Sequence, residues 1–131
     1  MPEAPPTLAL DRIHEAYEAA LGEGRLVVQR CACGQCWMPA RAACPTCLGT
    51  RWTWHTAQGG GRLESWVIYH VAFHEAFRDR VPYNVALVEL DEGPRVITNI
   101  VGDNALLRAQ ARVRFVAVRE GERTLARFEL V

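Results

Sequence analysis

The stretch RCACGQCWMPARAACPTC, residues 30–47, holds all five cysteines of a chain of 131 residues. A tetrahedral metal site takes four thiolates or imidazoles, usually delivered as two close pairs. Five sulfurs leave one over, so the reading turns on which four act together. Cys44-Pro-Thr-Cys47 is a clean C-x-x-C knuckle, and Cys33-Gly-Gln-Cys36 has the same spacing. Cys31-Ala-Cys33 is tighter, although Gly34 directly after Cys33 gives the backbone the freedom a metal knuckle needs. Spacing alone selects Cys33, Cys36, Cys44 and Cys47. A redox C-x-x-C belongs beside a βαβ pattern, which this chain lacks. The expectation is therefore structural zinc. Four thiolates leave no position for water, and a module of about 30 residues cannot bury enough surface to fold without such a staple.

Working outward, RLVVQR (residues 25–30) reads as a strand entering the cysteine segment and WTWHT (52–56) as the strand leaving it. Upstream, Leu10, Ile13, Tyr17, Ala20 and Leu21 recur at helical spacing, with Thr7 or Asp11 to cap the start and Gly22 to stop the helix. This helix either packs on its own domain or lies on a partner. The Pro-rich residues 1–6 are expected to be disordered. Downstream, Gly59, Gly60 and Gly61 read as a flexible joint. The expected organisation is a helical segment (1–24), a zinc ribbon (25–58) and a third domain (59–131). That domain reads as five strands, at 62–72, 83–91, 95–102, 111–119 and 124–130, with a short helix in 103–110. Five antiparallel strands with one connection between the third and fourth match an OB-fold barrel. The fold class is thus mainly β.

Composition excludes several functions. All 15 basic residues are arginine, which removes lysine Schiff-base chemistry. The one serine, Ser65, sits within an apparent strand, and no G-x-S-x-G elbow exists. A net charge of zero argues against nucleic-acid binding. No run of about 20 apolar residues is present, so no membrane span is expected. The first residues, MPEAPPTLAL, do not read as a signal peptide, and the expected location is the cytoplasm, where thiols stay reduced.

The order of helix, four-cysteine ribbon, glycines and five-stranded barrel resembles the DUF35 family, small proteins with a rubredoxin-like zinc ribbon fused to an OB-fold. The carriers are GRLVVQRCACG (24–34), the proline and arginine of MPARAACPTC (38–47), GGGRLESWVIYHVAFHEAF (59–77) and, most closely, VPYNVALVELDEGPRVITNIVG (81–102). The family ribbon reads C-x-x-C-G, then proline, then C-P-x-C. Aligned on Pro39 and Cys44, the resemblance implies Cys31, Cys33, Cys44 and Cys47 as ligands, with the first knuckle one residue short. Cys36 stays the alternate for the place of Cys31.

The resemblance implies an accessory subunit, without catalytic residues of its own, for a thiolase-like enzyme. Such partners include thiolases, condensing enzymes and aldolases that shorten steroid side chains. A thiolase-fold partner in a heterotetramer, and a coenzyme A ester shared with it, follow as expectations. Arg41, Arg51 and Arg62, near the ribbon and its joint, would be the arginine forks for coenzyme A phosphates. Phe73, Phe77 and Tyr83, in the loop FHEAFRDRVPY, would be aromatic anchors on the partner. His70, His74 and Glu75 read more simply as polar residues at a strand end than as a base and its orienter. Trp37, Trp52 and Trp54 cannot all be hidden by a small ribbon, so at least one should meet the barrel or another chain. A stand-alone acyl-CoA binding module, or less readily a single-stranded nucleic-acid OB-fold, are the alternatives.

Overall fold

A computed structural model of the chain describes residues 6–131 apart from Phe73; the side chains of residues 6–10 and of Phe77 lie outside the description. The expected disorder of residues 1–6 thus falls almost wholly outside the described residues.

The helical periodicity near the N-terminus becomes α1 (Pro6–Gly22). Its C-terminal half packs on the chain itself: Ala20 and Leu21 are buried, and Tyr17 lies against the main core. The Arg25 N–H closes the helix end on the Ala20 carbonyl at 2.9 Å.

The ribbon is a three-stranded antiparallel sheet of order β2-β1-β3, formed by β1 (Val27–Cys31), β2 (Cys36–Trp37) and β3 (Trp52–Thr56). The sequence reading found β1 and β3; β2 is too short to show a period. The OB-fold sheet runs β6-β5-β4-β8-β9-β7. Its strands are β4 (Gly60–Tyr69), β5 (Tyr83–Leu90), β6 (Arg95–Thr98), β7 (Ile100–Val101), β8 (Arg112–Glu120) and β9 (Arg123–Leu130). The third expected strand is thus two, broken at Asn99, and β7 turns to pair in parallel with β9. Side chains fix the break: the Asn99 amide donates to the Asn84 carbonyl, and the Thr98 hydroxyl donates to the Ala126 carbonyl at 3.0 Å. The helix expected within 103–110 is one 3-10 turn, Asn104–Leu106, and a second 3-10 helix, Glu75–Arg80, precedes β5.

β5 alternates strictly between half-buried and buried positions, the mark of a strand with one face on a core. That core is continuous across the modules. Leu63, Val88, Leu90, Val113 and Phe128 of the OB-fold pack with Leu26 and Val28 of the ribbon and Leu21 of α1. Burial is thereby pooled, and neither module has to fold on its own small core.

The three glycines do not form a flexible joint. Gly60 and Gly61 lie inside β4, where that strand pairs with both β5 and β8. A Cβ on Gly61 would sit 2.7 Å from the Glu89 carbonyl oxygen. Gly61 lacks a side chain because a neighbouring backbone passes too close, a common use of glycine in strands, and a Cβ on Gly60 would meet the Asp91 and Arg112 side chains.

Candidate functional site

β1 ends at Cys31, and the chain then turns so that the Gly34 N–H reaches the Cys31 carbonyl at 2.9 Å and the Cys31 N–H reaches the Gln35 carbonyl at 2.8 Å. Gly34 has φ +96°, a conformation that suits glycine and lets Cys33 curl back beside Cys31. The second knuckle closes with the Leu48 N–H on the Cys44 carbonyl and the Cys44 N–H on the Gly49 carbonyl, both at 2.9 Å. Buried Gln29 clamps the connecting loop. Its amide donates to the Arg41 carbonyl at 2.6 Å, and its oxygen accepts from the Arg41 N–H at 2.8 Å.

This folding brings the sulfurs of Cys31, Cys33, Cys44 and Cys47 within 4.8 Å of one another. The Cys31–Cys47 and Cys33–Cys44 separations are 3.5 and 3.7 Å. A tetrahedron with Zn–S bonds of about 2.3 Å has edges of roughly 3.8 Å, so the donor set fits such an ion. Backbone amides support anionic sulfur: Thr46 and Cys47 donate to Cys44 Sγ at 3.4 and 3.5 Å, and Gly49 donates to Cys47 Sγ at 3.4 Å.

The thiols do not ionise alike. At Cys44 burial opposes the thiolate, but the amides of Cys47 and Thr46 and the neighbouring thiols outweigh it and hold the pKa at about 7. At Cys31 the Cys33 amide favours the thiolate. Burial and the sulfurs of Cys33, Cys47 and Cys44 together overcome it and push the pKa up to about 12. Four crowded sulfurs cannot all carry charge unless a cation sits among them.

Cys36 stands apart from this group. It pairs with Arg30 across β1–β2, while Gln29 pairs with Trp37. Side chains alternate along β1, so Cys31 shares the face of Gln29 and Trp37, and Cys36 shares the opposite face with Val28. The packing agrees: Trp37 clusters with Cys31 and Cys44, and Cys36 touches the main core. The choice made from spacing alone, Cys33 with Cys36, is therefore not the arrangement in the fold.

The tryptophans form an edge-to-face chain. Trp37 and Trp52 centroids are 6.4 Å apart, those of Trp52 and Trp54 5.4 Å, and the Trp52 indole N–H donates to the Ala42 carbonyl at 2.9 Å. Trp37 and Trp54 also wall a cleft of about 410 Å³ between α1, the ribbon and the OB-fold, together with Tyr17, Met38, Leu87 and Ile97. Its lining is mainly apolar, with His14, Gln29 and Arg95 as the polar members, and its size is that of a small-molecule or acyl-group site. Leu87 and Ile97 continue from this cleft onto the outer face of the sheet. There Ser65, Val67 and Tyr69 of β4 lie opposite Leu87, Val85 and Tyr83 of β5, and Ile97 lies opposite Leu87. Ile97 is 75% exposed and Val67 54%. The sequence carries a signal for this face that strand reading passed over. The unbroken runs Trp66-Val67-Ile68-Tyr69 and Val96-Ile97 place apolar residues on both faces, as in strands covered twice.

The remaining candidates fall as follows. Arg41 and Arg51 are exposed in the ribbon loops, while Arg62 on β4 is held by Glu89 at 2.7 Å, so that fork is already occupied. Tyr83 stacks on Tyr69 at 5.3 Å and 25°. Phe73 and the Phe77 side chain lie outside the described residues. His74 caps its 3-10 helix, Nδ1 accepting from the Ala76 N–H at 3.0 Å.

A four-cysteine ribbon sharing its core with an OB-fold sheet defines a two-module ribbon and OB-fold protein. Family models agree module by module: residues 19–53 match the rubredoxin-like zinc ribbon domain of ChsH2 and residues 54–119 its C-terminal OB-fold domain. The chain belongs to the DUF35 family of ChsH2-type proteins. A probable enoyl-CoA hydratase alpha subunit from Thermomonospora curvata is 41% identical over 98 residues, 74% of this chain but 30% of that protein. The chain therefore spans under a third of that relative. A DUF35 domain-containing scaffold protein from Methanothermobacter thermautotrophicus is 35% identical over 92 residues, covering 67% of this chain and 68% of that one. Among solved structures, a chain of the Ltp2-ChsH2(DUF35) aldolase superposes with a TM-score of 0.81 at 33% identity, covering 99% of this chain and 98% of that one.

Proposed function

We propose that this chain is a non-catalytic accessory subunit that docks on a thiolase-fold enzyme acting on acyl-CoA substrates, with zinc held by Cys31, Cys33, Cys44 and Cys47. The observation that carries the reading is the apolar outer face of β4–β5–β6, with Val67 and Ile97 open to solvent and continuous with the interdomain cleft. An exposed face of this kind is what a protein interface requires. The similarity to a chain of an aldolase complex and to an enzyme's alpha subunit supports it. Bound zinc supplies cross-linking within the ribbon: four sulfurs, all from the ribbon, leave no open position, so its part is to hold the two cysteine knuckles together. The cleft beside it suits the acyl part of a coenzyme A ester, with Arg41 and Arg51 at the ribbon surface available to phosphates.

The test is co-expression with a thiolase-fold aldolase, comparing the native chain with Val67→Glu/Ile97→Glu. The native chain should co-elute as a heterotetramer and support cleavage of the acyl-CoA. The double variant should remain folded and elute alone. Tight binding of acyl-CoA by the isolated chain, with no complex formed, would instead make it a stand-alone binding module.

A further inference from the structure

A second cavity, of about 270 Å³, lies at the strand ends away from the ribbon, where β5 begins and the β8–β9 hairpin turns. Arg80, Asn99, Asn104, Glu120 and Arg127 supply its polar wall. A neighbouring hollow shares Arg80, Glu120 and Arg127 and adds Arg123. Cationic groups therefore outnumber the single carboxylate. Arg80 meets Glu120 at 2.9 Å. Half-buried Arg127 makes no ion pair among the described residues, and its Nη1 donates to the Ala126 carbonyl at 3.2 Å. Burial lowers the Arg127 pKa, Glu120 opposes this and Arg80 adds to it, leaving the net shift downward. Arg127 is thus a half-buried cation facing both hollows without an ion pair among the described residues.

The amides beside it divide into two kinds. Both N–H groups of Asn84 are used, one on the Ile100 carbonyl and one on Asn104 Oδ1, each at 2.8 Å, so Asn84 is structural. Asn104 donates one N–H to the Pro82 carbonyl at 3.3 Å, and Asn99 donates one to the Asn84 carbonyl. An amide carries two, so among the described residues each keeps a donor.

We propose that this cavity binds a phosphate-type oxyanion, with the Arg80 and Arg127 guanidinium groups as charged arms and Asn99 and Asn104 as neutral donors. Glu120 competes for the arginines when no anion is present. The volume lies just under the roughly 300 Å³ at which sites for whole organic ligands begin. A phosphate or diphosphate group therefore enters while the rest of a larger molecule stays outside. The inference depends on neither the metal nor the partner enzyme.

The experiment titrates the ¹⁵N-labelled full chain with sodium pyrophosphate, AMP and coenzyme A, against sodium chloride at matched ionic strength. Saturable shifts are expected at the amides of Asn99, Gly102 and Asn104. Arg127→Gln should weaken pyrophosphate binding roughly tenfold, the scale of one charge-assisted contact. Arg62→Gln should not change it, and Glu120→Gln should strengthen it. AMP or coenzyme A binding more tightly than pyrophosphate identifies a nucleotide phosphate; the reverse identifies the free anion. Shifts that do not saturate through the millimolar range overturn the proposal. So does a Glu120→Gln variant that binds no better than the native chain, a test that stands even where Arg127→Gln fails to fold.

Discussion

Replacing Cys31 and Cys36 separately gives the sharpest contrast the ribbon offers. Both precede the second knuckle, and spacing favours Cys36 as a ligand. In the fold Cys31 Sγ is 3.5 Å from Cys47 Sγ, whereas Cys36 lies on the other face of the β1–β2 pair against the main core. Cys31→Ala removes one of four donors. Structural zinc contributes about 10–16 kcal/mol in comparable ribbons, and native domains are stable by only about 5–15 kcal/mol. Loss of the ion should therefore unfold the ribbon and, through Leu26 and Val28, loosen the shared core. Cys36→Ala removes one half-buried sulfur and should cost about 1 kcal/mol, the scale of a single deleted methyl group. Zinc per chain by plasma mass spectrometry, with urea unfolding, reads both effects. The expected stoichiometry is one for the native chain and Cys36→Ala and near zero for Cys31→Ala. A Cys36→Ala chain without zinc, beside a Cys31→Ala chain that keeps it, would refute the reasoning from strand register.

Further perturbations probe the packing. Gly61→Ala would press a Cβ to 2.7 Å from the Glu89 carbonyl oxygen and 2.9 Å from Val88 Cγ1 and should cost about 1–3 kcal/mol in urea unfolding. Gly22→Ala, which meets nothing within 4 Å, should be neutral or slightly stabilising. Phe128→Ala empties a fully buried site that meets Phe115 edge-to-face at 6.1 Å and should cost about 3–5 kcal/mol by the same assay. Arg112 grips Asp91 through two hydrogen bonds of 2.8 and 2.9 Å, which holds the Asp91 carboxyl below its ordinary 3.8. A depressed folded pKa gives stability that is present above the unfolded value and lost as pH falls through the folded one. The difference between native chain and Asp91→Asn should therefore be constant near neutrality and close below pH 3.8, and it should be small because the pair is exposed.

Periodic signals made most of this fold legible. The helical repeat ending in Ala20 and Leu21, and the alternation of β5, report burial on one face, and burial is what drives those elements to form. Three features escaped because they depend on pairings between strands rather than on a pattern within one strand. Nothing near Cys36 says that β1 and β2 form a hairpin, and only that pairing sends its side chain away from Cys31. Gly60 and Gly61 read as freedom because close approach of neighbouring atoms and flexibility leave the same residue in a sequence. RVITNIVG reads as one β-branched run through Asn99, and the break needs the partners of Asn99 and Thr98 on β5 and β9. The site was legible in a similar measure. The second knuckle is local and stood out, while the cleft and the arginine-lined cavity assemble from segments far apart in the chain.

Native mass spectrometry of the chain co-purified with a thiolase-fold aldolase tests the central claim most directly, since it weighs ion and partner together. The account expects each small subunit to carry one zinc and to leave the complex only after the metal is stripped. A complex that persists with metal-free small subunits, or a zinc-loaded chain that stays alone, would contradict it.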